Sequence, residues 1–479
     1  MFNKVLLVNA EYPTSLHKFL NLHTGLGYIS ECLDNAGIEN EIYEPALGNG
    51  YSGLRKSILN FKPDLIGYSM MSFRYKYNYE IIAKIKNEFS SLTIAAGGPH
   101  ITAFGKKALL DCHAIDIGIM MEGEEILPEI CKGKSLDEIA GIIYRKENRD
   151  IIQTQPRDLI EDLDKMPFPR YKRFNIDAYP KIIPIVTSRG CPYQCIFCPI
   201  GSVMGKRFRA RSAYSVGDEI EFWHKKGFRD FSIADDAFNF IEKRVCDICD
   251  EIEKRKLSGI RISCGNGIRA DKLDNQLLKR MKEAGFYHLA FGVESASNKV
   301  LGILKKGETI EKIEESIKEA CRIGFWVELF FLIGSPGETW ADVEESIKFA
   351  LRYPIYRADF YNLIPFPDTE LYRWAEERNC FIFPHPQYLD TIMHHVNKPL
   401  FATPELTIQE RKKAFRYARK IVHNHTRKRR LKLDRWLTKE KLRDYYGIKG
   451  ITADFLTWLY HHRLSAGLMR LIQKLLRIC

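Results

Sequence analysis

The sequence predicts an α/β protein in three parts: an N-terminal doubly wound parallel sheet, an open six-unit βα barrel, and a helical C-terminal region. Three observations predict this. Short apolar runs alternate with amphipathic helices over the first 150 residues, and a second alternation of six units begins near Lys181. After Pro386 the chain becomes helical and basic. With 479 residues, 45% hydrophobic and 28% charged, the chain has ordinary globular composition. That excludes disorder, collagen and coiled coil as the dominant state and leaves room for two or three cores.

In chain order, KVLLVN (Lys4–Asn9) reads as a first strand. GLGYISECLDN (Gly25–Asn35) reads as a helix that Gly37 stops. LIGYSMM (Leu65–Met71), LTIAAGG (Leu92–Gly98) and IDIGIMM (Ile115–Met121) read as further strands. Helices are expected over Tyr77–Phe89, around Ala103–Leu110 and from near Glu124. Continuous apolar strands separated by helices imply a parallel sheet covered on both faces, with its ligand beyond the carboxyl ends of the strands. LIEDLDKMPFPRYKRF has two prolines and no clean period, and reads as a linker.

The second alternation places strands at Ile182–Ser188, Asp230–Asp235, Arg261–Asn266, His288–Glu294, Val327–Gly334 and Ala358–Ile364. Helices such as Thr309–Ile323 and Trp340–Leu351 lie between them. Six units are two short of a closed eight-fold barrel, and chemistry in such barrels sits at the C-terminal strand ends. The expected boundaries are 1–150, a linker over 151–180, the barrel over 181–385, and the basic helical region over 386–479.

Twelve cysteines are too few for a disulfide scaffold, and no apolar run is long enough to span a membrane. A reducing, cytoplasmic setting is therefore expected. From Phe401 onward twenty Lys and Arg face six Asp and Glu, an excess larger than the +12 of the whole chain. The basicity belongs to this segment alone.

The sharpest chemical signal is Cys191-Pro-Tyr-Gln-Cys195-Ile-Phe-Cys198, directly after the first barrel strand. Three thiolates within eight residues can wrap one corner of an iron–sulfur cube and leave one iron open. The competing reading is zinc, which requires four protein ligands, and the first following histidine is His224. Three unrelated cysteines are the blandest reading.

This spacing, with an aromatic residue (Phe197) just before the last cysteine, resembles the radical S-adenosylmethionine enzymes. The resemblance implies that Cys191, Cys195 and Cys198 hold a 4Fe-4S cluster whose open iron chelates S-adenosylmethionine. Cleavage of the sulfonium would yield a 5′-deoxyadenosyl radical, and the barrel would supply position and dryness.

Other segments fall where that family places cofactor contacts. Asp235 and Asp236 end the second strand and could face an ammonium group, or could serve as a helix cap. Arg269 could pair with the methionyl carboxylate, or form a surface salt bridge. Glu294 lies in the GVES segment as a candidate polar contact. Gly334 opens GSPGE, where glycines admit a flat adenine, and PFPDTEL follows the sixth strand.

The N-terminal part is similar to the cobalamin-binding-domain subfamily, which includes the anaerobic magnesium-protoporphyrin ester cyclase and hopanoid-modifying types. Gly25–Tyr28, Ser69-Met70-Met71, Gly97-Gly98-Pro99-His100, Glu122-Gly123-Glu124 and LDKMPFPR carry the likeness, which spans about residues 1–385. Ser69, Gly97 and Gly98 are the candidate cobalamin contacts. The bland readings are a tight turn at Gly97-Gly98 and a satisfied polar residue at His100. A D-x-H-x-x-G motif is absent, since His23 stands in LNLHTGLG without the aspartate. Cobalamin held without a histidine ligand, or no cobalamin at all, both remain open here.

Cys246 and Cys249 share one face of a helical pattern and read as packing rather than an auxiliary cluster. The basic tail, with Trp458, Leu459 and Leu468, could lie on an anionic membrane. The cluster Arg427–Arg430 could meet nucleic-acid phosphates. A helical cap on the barrel is the bland reading, and nucleic acid is the least expected partner.

The resulting expectation is a radical enzyme, with cobalamin-dependent methyl transfer to an unactivated carbon of a small or lipid-like molecule as the leading reaction. A ferredoxin or flavodoxin would supply the electron. The alternatives are a cobalamin-independent radical cyclase, oxidase or coupling enzyme, and a non-enzymatic iron–sulfur electron-transfer protein with a nucleic-acid-binding tail. Radical methylthiotransferases carry three further cluster cysteines, which Cys32, Cys112 and Cys131 do not suit by spacing.

Overall fold

The computed structural model describes residues 1–10, 21–45, 47–148, 150–383, 387–391, 397–446 and positions 450, 452, 454, 456 and 457. The chain divides into two compact units. Met1–Ala178, Pro199–Arg209 and Pro384–Met393 form the first, and Tyr179–Cys198, Ala210–Phe383 and His394–Cys479 form the second.

The first unit is built on a seven-stranded sheet. Its strands are β1 (Lys4–Asn9), β2 (Glu39–Tyr43), β3 (Leu65–Ser69), β4 (Thr93–Gly97), β5 (Ile117–Ile119), β6 (Ile142–Arg145) and β7 (Ile151–Gln153), ordered β2-β1-β3-β4-β5-β6-β7. The first five pair in parallel. The expected parallel sheet is present over these five strands, and β6 and β7 join antiparallel to extend its edge. β7 returns from β6 through a short turn, which suits antiparallel pairing, whereas β6 comes back antiparallel to β5 only after a helix over Ile126–Cys131. Strand order reverses at β1, which places a switch point between β1 and β3.

The helices are α1 (Thr24–Asn35), α2 (Gly50–Phe61), α3 (Tyr75–Glu88), α4 (Pro99–Phe104), α5 (Lys106–Asp111), α6 (Ile126–Cys131) and the single turn α7 (Ile200–Val203). The one helix expected around Ala103–Leu110 is two, because Gly105 adopts φ +54° and breaks it. Val8, Ile66, Tyr68, Ile82, Ile94 and Ile101 are among the buried core side chains. The segment read as a linker packs tightly. A Cβ on Gly27 would lie 2.8 Å from Pro169 and Tyr171, and Arg173 forks onto Asp34 at 2.9 and 3.1 Å.

The second unit carries six parallel strands: β8 (Ile182–Ile185), then, past the two-residue strands β9 (Ser188–Arg189) and β10 (Arg209–Ala210), β11 (Asp230–Ile233), β12 (Arg261–Ile268), β13 (Phe286–Glu294), β14 (Trp326–Ile333) and β15 (Arg357–Asn362). Their order, β15-β14-β13-β12-β11-β8, is that of successive βα units with β8 and β15 at the two edges. Five of the six strands have both ends within two residues of the expected positions, and β8 stops three residues short of the expected Ser188. The intervening helices are α8 (Ala213–Lys225), α9 (Glu242–Lys254), α10 (Asn275–Glu283), α11 (Asn298–Ile303), α12 (Ile310–Ile323), α13 (Trp340–Arg352) and α14 (Glu370–Glu377). Ser212, Asp274, Thr309, Thr339 and Thr369 each cap a helix with a side-chain oxygen.

The basic region forms α15 (Ile408–Tyr446), a 39-residue helix. It packs on β15 and α13, with Tyr417 stacked on Trp340 and Trp436 against Trp326. Trp458, Leu459 and Leu468 lie outside the described residues. No helix among the described residues is long and apolar enough to cross a membrane.

Candidate functional site

Because all six strands of the second unit are parallel, their carboxyl ends share one edge. The cysteine loop starts at that edge. Gly190, at φ +80°, turns the chain out of β9 into Cys191. The loop is pinned from both sides: the Ile196 amide donates to Leu304 O at 3.1 Å, and the Leu371 amide donates to Ile196 O at 2.9 Å. Cys195 and Cys198 share a tight turn, Cys198 N to Cys195 O at 3.1 Å. All three thiols are half-buried and outside any disulfide, and Phe197 is half-buried between the last two.

Burial pushes the Cys191 and Cys195 thiols up, and the Arg269 and Lys306 cations pull both back toward thiolate. That suits a negatively charged cluster.

Asp235 follows β11 and spends both oxygens inside the protein. It accepts from the Thr187 amide and the Ser188 hydroxyl, both at 2.6 Å, and from the Thr187 hydroxyl. Asp236 accepts from the Gly190 amide at 3.1 Å. Neither is the cap of α9, which is Ile241. The pair braces the start of the cysteine loop.

Arg269 follows β12 and is buried, so it is not a surface salt bridge. Its guanidinium lies 3.7 Å from the centre of the Tyr193 ring. It donates to Asp271 at 2.8 Å and to Lys306 O at 2.8 Å. Glu294 ends β13 with φ +62°, and its carboxylate takes the Lys306 ammonium at 3.1 Å. Glu308 lies 3.6 Å from Lys306 and 3.7 Å from Arg269. Burial alone would depress the Lys306 ammonium, yet Glu294 and Glu308 hold it above its ordinary value. Burial raises the Glu308 carboxyl against the pull of Lys306 and Arg269.

Lys306 and Glu308 were missed by sequence reasoning. They sit in ILKKGET, between two helices and outside any strand end. The one available signal was charge inside a run that starts with buried Val300 and Leu301. Gly334, just after β14, adopts φ +98°. Cys246 is half-buried and Cys249 buried on α9, as packing requires.

In the first unit, Ser69 and Gly97 end β3 and β4. Gly98 has φ +94°, and a Cβ there would meet Met70 O at 2.7 Å, so only glycine fits. His23 caps α1: its Nδ1 accepts from the Leu26 amide at 3.1 Å, and its Nε2 faces Ser69 Oγ at 3.1 Å. Burial lowers it to about 4, so the ring is neutral near pH 7. His100 is the satisfied polar residue of the bland reading, bonded to Tyr79 at 2.7 Å and stacked by Tyr75.

Comparison with known proteins matches residues 185–350 to the Radical SAM superfamily and residues 19–131 to the B12 binding domain. An uncharacterized methyltransferase of Pyrococcus horikoshii is 32% identical over 341 residues, covering 69% of this chain and 73% of its own. Cytidylyl-2-hydroxyethylphosphonate methyltransferase of Streptomyces wedmorensis is 26% identical, covering 78% of this chain and 81% of its own. The radical S-adenosylmethionine methyltransferase TsrM of Kitasatospora setae, solved with cobalamin and a [4Fe-4S] cluster, shares the fold at TM-score 0.69 and 20% identity, covering 87% of this chain and 82% of that one. A three-cysteine loop at the carboxyl edge of six parallel strands, joined in one chain to a B12 binding domain, thus comes with a relative of nearly the same extent, and the chain belongs to the radical S-adenosylmethionine superfamily, as an enzyme of its cobalamin-binding branch.

Proposed function

We propose that this enzyme carries out cobalamin-dependent methyl transfer to an unactivated carbon of a small-molecule substrate, with Cys191, Cys195 and Cys198 holding the 4Fe-4S cluster. The observation that carries the reading is the convergence of that loop with Glu294, Lys306 and Arg269 at one strand edge. When bound, the cluster supplies an electron to the sulfonium and cobalamin supplies the methyl carrier.

The chain's own residues bind and orient. Two buried cations, Lys306 and Arg269, lie close enough to Cys191 and Cys195 to bias both toward thiolate, and offer charge to the carboxylate of an amino-acid ligand. Glu294 is placed for its ammonium group, and Gly334, the candidate contact for the base, turns the chain at the end of β14 with φ +98°. Asp235 and Asp236 hold the loop so that the thiols keep their spacing. In the N-terminal unit, Ser69, Gly97 and Gly98 face the corrinoid reading, with residues 1–150 as its domain.

A ferredoxin or flavodoxin is the electron donor in this reading. Exposed Trp436 among Lys428, Lys432, Arg435 and Lys439 supports peripheral contact of α15 with an anionic membrane in a cytoplasmic protein.

The test is anaerobic purification with cobalamin in the medium, then absorption spectra and a methyl-transfer and 5′-deoxyadenosine assay. A corrinoid band and an iron–sulfur band are expected together. Cys195→Ala is expected to abolish the second and all S-adenosylmethionine chemistry. Retained chemistry in that variant refutes the ligand assignment, and no corrinoid under saturating supply refutes the methyl-transfer route.

A further inference from the structure

The turn Gly334–Glu338 leaves the carboxyl end of β14, next to the strand that ends in Glu294. Its shape rests on one carboxylate. Glu338, fully buried, accepts from the Gly334 amide at 2.5 Å and from the Ser335 amide at 3.2 Å. A buried carboxylate holding two backbone amides makes strong, directional bonds only while ionised.

The charge that favours ionisation comes from α15. Arg411 is buried, donates to Phe401 O and to Thr403 Oγ1 at 2.8 Å each, and lies over the Phe401 ring at 4.6 Å. Its guanidinium presses on the turn: a Cβ on Gly334 would come 2.5 Å from Nη1 and 2.6 Å from Cζ. Arg411 Nε and Ser335 Oγ, both buried, have no hydrogen-bond partner among the described residues. The anion-favouring charge is thus unspent on a carboxylate contact of its own.

We propose that Arg411 is a positioning residue for the strand-end turn. Its charge keeps the Glu338 carboxylate in the form that ties down Gly334 and Ser335, so the C-terminal helix sets the wall of the nucleoside site. This rests on the reading of the strand edge as the S-adenosylmethionine site.

Burial raises Glu338 to about 7, with Asp342 adding to the rise and Arg411 opposing it. Asp342 is itself neutralised by Lys299 at 2.8 Å. Burial lowers Arg411 to about 10, with Glu338, Cys380 and Glu405 facing it. Arg411 is therefore charged, and Glu338 titrates, in the neutral range.

The experiment measures equilibrium S-adenosylmethionine binding from pH 6 to 9 on the full chain with reconstituted cluster. Wild type is expected to bind more weakly as pH falls through about 7. Arg411→Gln is expected to move this limb up by about one pH unit, which is about fivefold weaker binding at pH 7 with little change at pH 9. Arg411→Lys is expected to restore the wild-type limb, and Glu338→Gln to give weaker binding that no longer depends on pH in this range. An unmoved limb in Arg411→Gln overturns the proposal. If that variant does not fold, a wild-type limb in Glu338→Gln overturns it instead. No binding by wild type at any pH refutes the underlying site reading, not this one.

Discussion

The Lys306 ammonium lies 3.1 Å from the Glu294 carboxylate, and both groups are buried at the strand edge beside the cysteine loop. Glu308 lies 3.6 Å from the same ammonium and 3.7 Å from the Arg269 guanidinium, so two cations face two acids. Replacing Lys306 strands the Glu294 carboxylate in a low-dielectric site, which costs about 3–5 kcal/mol. Lys306→Met is expected to lower the thermal unfolding midpoint and weaken S-adenosylmethionine binding together, with Lys306→Arg recovering most of the stability. Unchanged unfolding in Lys306→Met would show that the pair is not a stabilising contact.

His100 gives the first unit an acid-sensitive point. Burial lowers its ring to about 3, below the ordinary histidine value. The unfolded chain therefore takes up a proton near pH 6.5 that the folded chain refuses. The stability it contributes is complete above about pH 6.5 and is lost as pH falls toward 3. The unfolding midpoint of the first unit should drop steadily from pH 7 to 4, and His100→Gln should flatten that slope. An equally steep slope in the variant would sink the assignment.

The strand ends and the cysteine loop were legible because each rests on a local signal, an apolar run or a fixed spacing. The elements that went unread lack one. ENEIY at β2 opens with three polar residues, two of them exposed, and so lacks an apolar run, and α2 contains two glycines. The antiparallel pair β6–β7 is short and was divided by the expected boundary at 150. Lys306 and Arg411 reach the site from a helix–helix loop and from 77 residues after Gly334, and no spacing rule spans those distances. Asp235 was found by place but not by role, since its partners Thr187 and Ser188 lie some 47 residues earlier, at the start of β9.

His23 bears on how a corrinoid would be held. Its Nδ1 accepts the Leu26 amide, so the neutral ring carries its proton on Nε2, which donates to Ser69. No lone pair is left for a metal. Paramagnetic resonance of the cob(II)alamin-loaded protein should show no splitting from a protein imidazole, and His23→Ala should leave that spectrum unchanged. The same substitution removes a helix cap and should cost about 1 kcal/mol of stability. A nitrogen splitting that disappears in His23→Ala would refute this account.

Asp235 offers a test that separates holding the cysteine loop from ligating metal. Its carboxylate gathers three donors from Thr187 and Ser188, immediately before Gly190 and Cys191. An amide of the same shape would turn an N–H toward those donors, and charge-assisted bonds of about 1.5–3 kcal/mol each would be lost. The three thiols would remain, but the loop would start from a loosened strand end. Asp235→Asn should therefore bind less iron on anaerobic reconstitution and lose it faster to a chelator. The double variant Cys246→Ala, Cys249→Ala removes two thiols from the packed face of α9 and should retain full iron. Full, slowly exchanging iron in Asp235→Asn would mean that the thiols hold their spacing without the brace, and iron lost from the double variant would move the cluster toward α9.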